Sequence, residues 1–170
     1  MQHGPNALEM NATLANNVLR VALVGLMDED ADYSQLALTG AASVVFDFQG
    51  VRLINSTGLL RWTKFLKSVP PELGLAVERC SVRVVTQINM FPGFFAGRTA
   101  SVRSFYAPYF CETCDVSVDL LLDVARDFPT DGTFPAPERA CATCRGPLVF
   151  DGIEKKYFVL LGQRPLSGAA

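Results

Sequence analysis

The most specific chemistry in this chain of 170 residues lies in two Cys-x-x-Cys pairs, Cys111/Cys114 and Cys141/Cys144. Each pair can aim two thiolates at one point, and the 26 residues between the pairs form a loop long enough for those points to coincide. Four thiolates around one tetrahedral ion make a structural zinc site, and a filled shell leaves no open position for catalysis. A catalytic ion also recruits histidine or carboxylate, whereas the one histidine, His3, stands near the start of the chain. Two alternatives compete. Disulfides closed within each pair would make small strained rings, and nothing here marks an exported protein. A thiol-disulfide oxidoreductase needs one reactive pair beside a helix start, not four converging thiolates.

The second group with chemical potential is Asn55-Ser56-Thr57-Gly58, two hydroxyls placed where a strand hands over to a helix. Such a hydroxyl caps free backbone N–H groups, and capping is the plainer role for Ser56 or Thr57. It can also stay open to a partner. A phosphate there adds about −1.5 to −2 charges at neutral pH, which the helix start tolerates and a partner shaped for a neutral loop does not.

Other features have simpler readings. Met90, Phe91, Phe94 and Phe95 form either core or an exposed apolar patch, with core the commoner outcome. Cys80 reads as a buried thiol, and Trp62 and Phe65 as core. Asp28, Glu29 and Asp30 read as the charged start of a helix rather than an acid-base centre.

These residues need elements to position them. Val18 to Gly25 and Ala42 to Phe48 read as strands, with a brief extended piece at Val51 to Ile54. Ala31 to Leu38 supplies a short helix stopped by Gly40. Leu59 to Lys67 has apolar residues at helical spacing and ends at Pro70-Pro71. Leu75 to Val77 and Ser81 to Val85 look extended, Ile88 to Phe95 forms an irregular helix around Pro92-Gly93, and Ala100 to Phe105 makes a last strand. Strands alternating with helices predict an α/β domain with a mixed β-sheet and packed helices. Beyond it, Tyr109 to Cys114 runs as a strand into the first metal knuckle. Val116 to Phe128 fits either a strand pair or a short helix. Pro147 to Phe150 and Tyr157 to Leu161 read as strands about a turn at Asp151-Gly152, a zinc-ribbon layout. The division expected is a flexible start over 1–16, an α/β domain over 17–105, a zinc ribbon over 106–162 and a loose tail over 163–170.

Composition sets the outer bounds. Hydrophobic residues are 49% and charged residues 19%, enough apolar material for a core and too little charge for a disordered tail. No apolar run reaches the length of a membrane span and the first twenty residues do not read as an export signal, so a cytoplasmic protein is expected. Through Ser104 there are 9 Lys+Arg against 8 Asp+Glu, and from Phe105 onward 6 against 9. An acidic metal-bearing part argues against gripping a phosphate backbone, so a nucleic-acid or small-ligand binding module is the alternative rather than the leading reading.

The segment Leu53 to Leu60, preceded by the strands Val18 to Gly25 and Val44 to Phe48, resembles the STAS domain. That family comprises bacterial anti-sigma-factor antagonists and the cytoplasmic domains of sulfate transporters. The resemblance covers about residues 17 to 105. It implies a non-enzymatic signalling adaptor whose strand-to-helix loop, Asn55, Ser56, Thr57 and Gly58, docks a protein partner, a Ser/Thr kinase or an anti-sigma factor. It further implies phosphorylation of the hydroxyl just before the glycine, which is Thr57, with Ser56 matching the preceding hydroxyl. Asn55 stands where the family carries an acidic residue, so the carboxylate is missing from that position. A homo-oligomer is compatible with this reading.

Overall fold

The computed structural model describes residues 7–162, so His3 and the tail over 163–170 lie outside the described residues. The first strand pair is a hairpin. β1 (Glu9–Ala15) runs antiparallel to β2 (Val18–Met27), joined by Asn16 and Asn17 at φ of 50° and 60°. Two consecutive left-handed residues make the two-residue turn whose twist matches the flanking strands, and asparagine tolerates that conformation. The stretch from Glu9 to Ala15, expected to be flexible, is therefore an edge strand.

β3 (Ser43–Ile54), β4 (Gly74–Glu78) and β5 (Ser101–Val102) add in parallel, giving the order β1-β2-β3-β4-β5. Each parallel step needs a crossover. α1 (Ser56–Ser68) follows β3 and α2 (Val82–Met90) follows β4. Trp62 of α1 is fully buried, edge-on to Phe46 and Phe48 with ring centroids 4.9 and 5.5 Å away. Its indole N–H donates to the Phe94 carbonyl at 3.0 Å, which gives the polar edge of a buried ring a partner.

Several local expectations change. Residues 31–38 form turns rather than a helix, because Asp28 and Asp32 take the N–H groups of Asp30 and Ser34 at 3.0 and 2.9 Å and so compete with helical bonding. The β-branched run after Ser81 is not a strand but opens α2. Ser81 caps it, accepting from the Val84 N–H at 3.4 Å, and Val84, Val85 and Ile88 bury one helical face. The helix ends at Met90, so only the first part of 88–95 is helical, and turns continue to Gly97. Phe94 and Phe95 are core; Met90 alone of that group points fully outward.

The second sheet is antiparallel: β6 (Ser104–Cys111), β7 (Val116–Asp123), β8 (Arg139–Ala140) and β9 (Pro147–Phe150), in the order β7-β6-β9-β8. Residues 116–128 hold no strand pair of their own: the single strand β7 pairs with β6 and leads into the short helix α3 (Val124–Asp127). Tyr157 to Leu161 is helical rather than extended, divided between α4 (Glu154–Tyr157) and α5 (Val159–Gly162).

The two sheets meet through backbone. Arg103 N–H donates to the Val77 carbonyl at 2.8 Å, Cys80 N–H to Ser104 at 3.3 Å, and Tyr106 N–H to Cys80 at 2.8 Å. Around this seam Phe105, Phe128, Phe150, Tyr157 and Phe158 form one aromatic cluster. Asn89 of α2 donates to the Tyr157 carbonyl at 2.7 Å. β6 thus crosses the 105/106 boundary, and the buried core is continuous across both sheets. No helix among the described residues is long and apolar enough to cross a membrane.

Arg98 closes the loop after α1, donating to the carbonyls of Val69, Pro70 and Leu73 at 2.8, 3.0 and 2.6 Å. One planar guanidinium thereby satisfies acceptors left over at a helix end. Arg98→Ala is expected to cost about 2 kcal/mol, with Arg98→Lys recovering only part, as read by urea denaturation.

Candidate functional site

The four cysteines come from two turns of the second sheet. Cys111 ends β6 and Cys114 precedes β7, while Cys141 follows β8 and Cys144 precedes β9. Each knuckle is closed by a residue in the left-handed region directly after its second cysteine, Asp115 at φ 52° and Arg145 at φ 62°. The shared offset turns both pairs of sulfurs inward. All four Sγ atoms lie within 4.8 Å of one another, with Cys111 to Cys144 at 3.5 Å and Cys114 to Cys141 at 4.0 Å. A tetrahedral ion with sulfur ligands at about 2.3 Å sets sulfurs about 3.8 Å apart, so the cluster has the size of a metal site. Cys111 and Cys141 are buried; Cys114 and Cys144 are half-buried.

The thiols also differ in acidity. Backbone N–H groups of Cys144 and Thr143 bring Cys141 down to about 6. Cys114 is pushed up to about 12 by the neighbouring sulfurs of Cys144 and Cys111. Without a cation, four thiolates this close repel; a bound dication removes that penalty and ionises them together. Cys80 lies apart from the cluster, free and fully buried, with its thiol pushed up by burial.

The strand-to-helix corner is built on Gly58. A Cβ at that residue would lie 1.8 Å from the Met27 carbonyl oxygen and 2.6 Å from the Asp28 nitrogen. The first turn of α1 therefore sits directly on the end of β2, a seat only glycine permits. Asn55, not a hydroxyl residue, caps the helix: its Oδ1 accepts from the Gly58 N–H at 2.8 Å. Its Nδ2 donates to Glu29 Oε2 at 2.9 Å, and this bond holds the Glu29 carboxyl below its usual value. The acidic side chain at this corner thus comes from the turn after β2. Sequence pattern could not place Glu29, which is 26 residues away from Asn55.

With capping assigned to Asn55, Ser56 and Thr57 have no structural task. Both are exposed, and neither hydroxyl makes a hydrogen bond among the described residues. The backbone N–H of Gly58 is used by Asn55, while Ser56 and Thr57 stand in the first turn, where N–H groups lack helical partners. Leu53 and Leu60 flank them, 42% and 65% exposed. The outer face of α1 continues with Arg61, Lys64 and Lys67, all exposed, and the helix carries no acidic residue. The corner is thus an exposed hydroxyl tip with apolar shoulders, the Glu29 carboxylate held by the capping Asn55 and a cationic flank along α1.

The chain matches no model of a known protein family, and no curated protein matches it.

Two outcomes are expected. Gly58→Ala should lower unfolding free energy by about 3 kcal/mol in chemical denaturation, because the opposing atoms are backbone and cannot rotate away. Metal analysis should return one ion per chain, and its removal by chelator should raise amide exchange over 108–116 and 139–150. Strands β2 to β4 should keep more of their protection, since their core does not pass through the sulfurs.

Proposed function

We propose that this chain is a non-enzymatic bacterial signalling adaptor of the STAS type, acting in the cytoplasm, that docks a protein partner through Asn55, Ser56, Thr57 and Gly58. Its C-terminal ribbon holds a structural zinc ion on Cys111, Cys114, Cys141 and Cys144, the metal favoured by four thiolates in tetrahedral array. One observation carries the docking reading. The two hydroxyls sit exposed on a rigidly seated helix start while Asn55 does the capping, so their presentation serves something outside the fold.

Phosphorylation of Thr57, or of Ser56, supplies the control. The phosphate would lie one helical turn before Arg61, beside free N–H groups, so the chain itself tolerates the charge. A partner packed on Leu53 and Leu60 would instead have to bury a bulky anion, and binding would be released. The partner has the chemistry of a Ser/Thr kinase or an anti-sigma factor that reads the unmodified hydroxyls.

The test is a pull-down from the native cell with wild type, Ser56→Ala, Thr57→Ala and Thr57→Glu, with phosphopeptide mapping of the recovered chain. Wild type and the alanine variants should retain a common partner, Thr57→Glu should recover at least tenfold less, and phosphate should map to Thr57 or Ser56. Equal recovery by all four would end the switch reading.

A further inference from the structure

We propose that β1 is a homodimer edge, pairing antiparallel with β1 of a second copy about a two-fold axis at Ala12, so that two five-stranded sheets become one of ten strands. This is independent of the docking corner.

The Asn17 carbonyl accepts from the Ser43 N–H at 3.3 Å, so it faces β3. Backbone groups alternate along a strand, and Val18, Arg20, Ala22 and Val24 therefore turn theirs toward β1. Their register partners are Ala15, Thr13, Asn11 and Glu9. The residues between, Met10, Ala12 and Leu14, direct N–H and C=O outward, where no described strand lies.

That edge is open and chemically unprotected. Strand edges are normally kept from pairing by charge, proline, bulges or shortness. β1 has seven residues in unbroken register, no proline, and Glu9 as its one charged residue, at its end. The other sheet edges are managed: β5 and β8 have two residues each, and β7 carries Asp119 mid-strand and Asp123 at its end.

β1 is also complementary to itself. A two-fold at Ala12 sets Ala12 opposite the partner's Ala12, Met10 opposite the partner's Leu14, and Asn11 opposite the partner's Thr13. Glu9 falls opposite the partner's Ala15, so no like charges face each other. Even-numbered residues meet even-numbered ones, which the outward backbone groups require. Met10, Ala12 and Leu14 share a face with Leu23, Val21 and Leu19, all buried. Leu14 is 47% exposed at the rim of a hollow of about 580 Å³ that Leu8, Met10, Leu19 and Leu36 help to line. Pairing brings the two hollows side by side across the axis and covers both Leu14 side chains. A strand-to-strand interface is small, so the dimer is reversible at micromolar concentration.

Sedimentation velocity over a concentration series tests this. Wild type should move from 18.5 kDa toward twice that mass as concentration rises. Ala12→Lys, which sets two lysines opposite each other, and Ala12→Pro, which removes an outward N–H that β2 does not use, should both stay monomeric with unchanged circular dichroism. Leu121→Lys on β7 should dimerise like wild type. A monomeric wild type into the hundreds of micromolar, a dimer that survives Ala12→Lys, or a dimer lost in Leu121→Lys would each overturn the proposal.

Discussion

The first turn of α1 lies against the end of β2 with no space for a methyl group between them. Because Gly58 has no side chain, the helix start can approach the Met27 carbonyl to backbone contact, and Asn55 then ties Gly58 to Glu29 through its two amide ends. Two segments distant in sequence, the end of β2 with the turn after it and the start of α1, are fixed relative to one another by these contacts. The orientation of Ser56 and Thr57 follows. They point outward because the helix is seated and capped by other residues, and their hydroxyls are left unspent.

The same economy of backbone contact joins the two sheets. Cys80 pairs with Phe105 as an isolated parallel bridge, and Ser104 bonds back to Cys80 and Arg79. From Phe105 the strand β6 runs to Cys111, about 20 Å at about 3.3 Å per residue, so the sulfur cluster stands well away from the seam. One end of the ribbon is held by the shared aromatic core and the other by four sulfurs. The ribbon is therefore a fixed extension of the first sheet rather than a tethered appendage. A metal ion held by the four cysteines would govern the far half, where apolar burial thins and Val149 and Val116 are exposed.

How much of this was legible in the sequence depends on how local the governing contacts are. The sulfur cluster was fully readable, because Cys-x-x-Cys spacing encodes its own geometry. β2 and α1 were readable to within a few residues, where long apolar runs and a Gly-Leu-Leu start agree, whereas β3 runs unbroken through Gly50, where the sequence suggests a strand and a separate extended piece. The hairpin Ala15-Asn16-Asn17-Val18 carried a turn signal in its paired asparagines that composition alone hid among polar residues. α2 was obscured by Val82, Val84 and Val85, whose β-branched character suggests a strand until Ser81 is seen to cap and Ile88 to complete a helical face. Tyr157, Phe158, Leu160 and Leu161 fall at helical spacing, yet their bulk and position after a turn mimic a strand. The boundary at 105/106 could not be read at all, because the seam consists of backbone hydrogen bonds between Val77 to Cys80 and Arg103 to Tyr106, which leave no mark on residue type.

The departure at Asn55 changes meaning once Glu29 is placed. A carboxylate is present at the corner, but on a different strand end, and the amide of Asn55 both caps the helix and holds that carboxylate ionised. For the proposed phosphate on Thr57 this gives Glu29 as a repelling neighbour and Arg61, one turn along the helix, as an attracting one. Exposed charges of this kind contribute little against solvent screening, and they act with opposite signs here, so the net effect on folding is small. Burying a doubly charged group unpaired in an interface costs several kcal/mol. The magnitudes therefore place the consequence of phosphorylation in the bound state and not in the stability of the chain, which is what a corner held rigid by Gly58 and Asn55 requires of a switch.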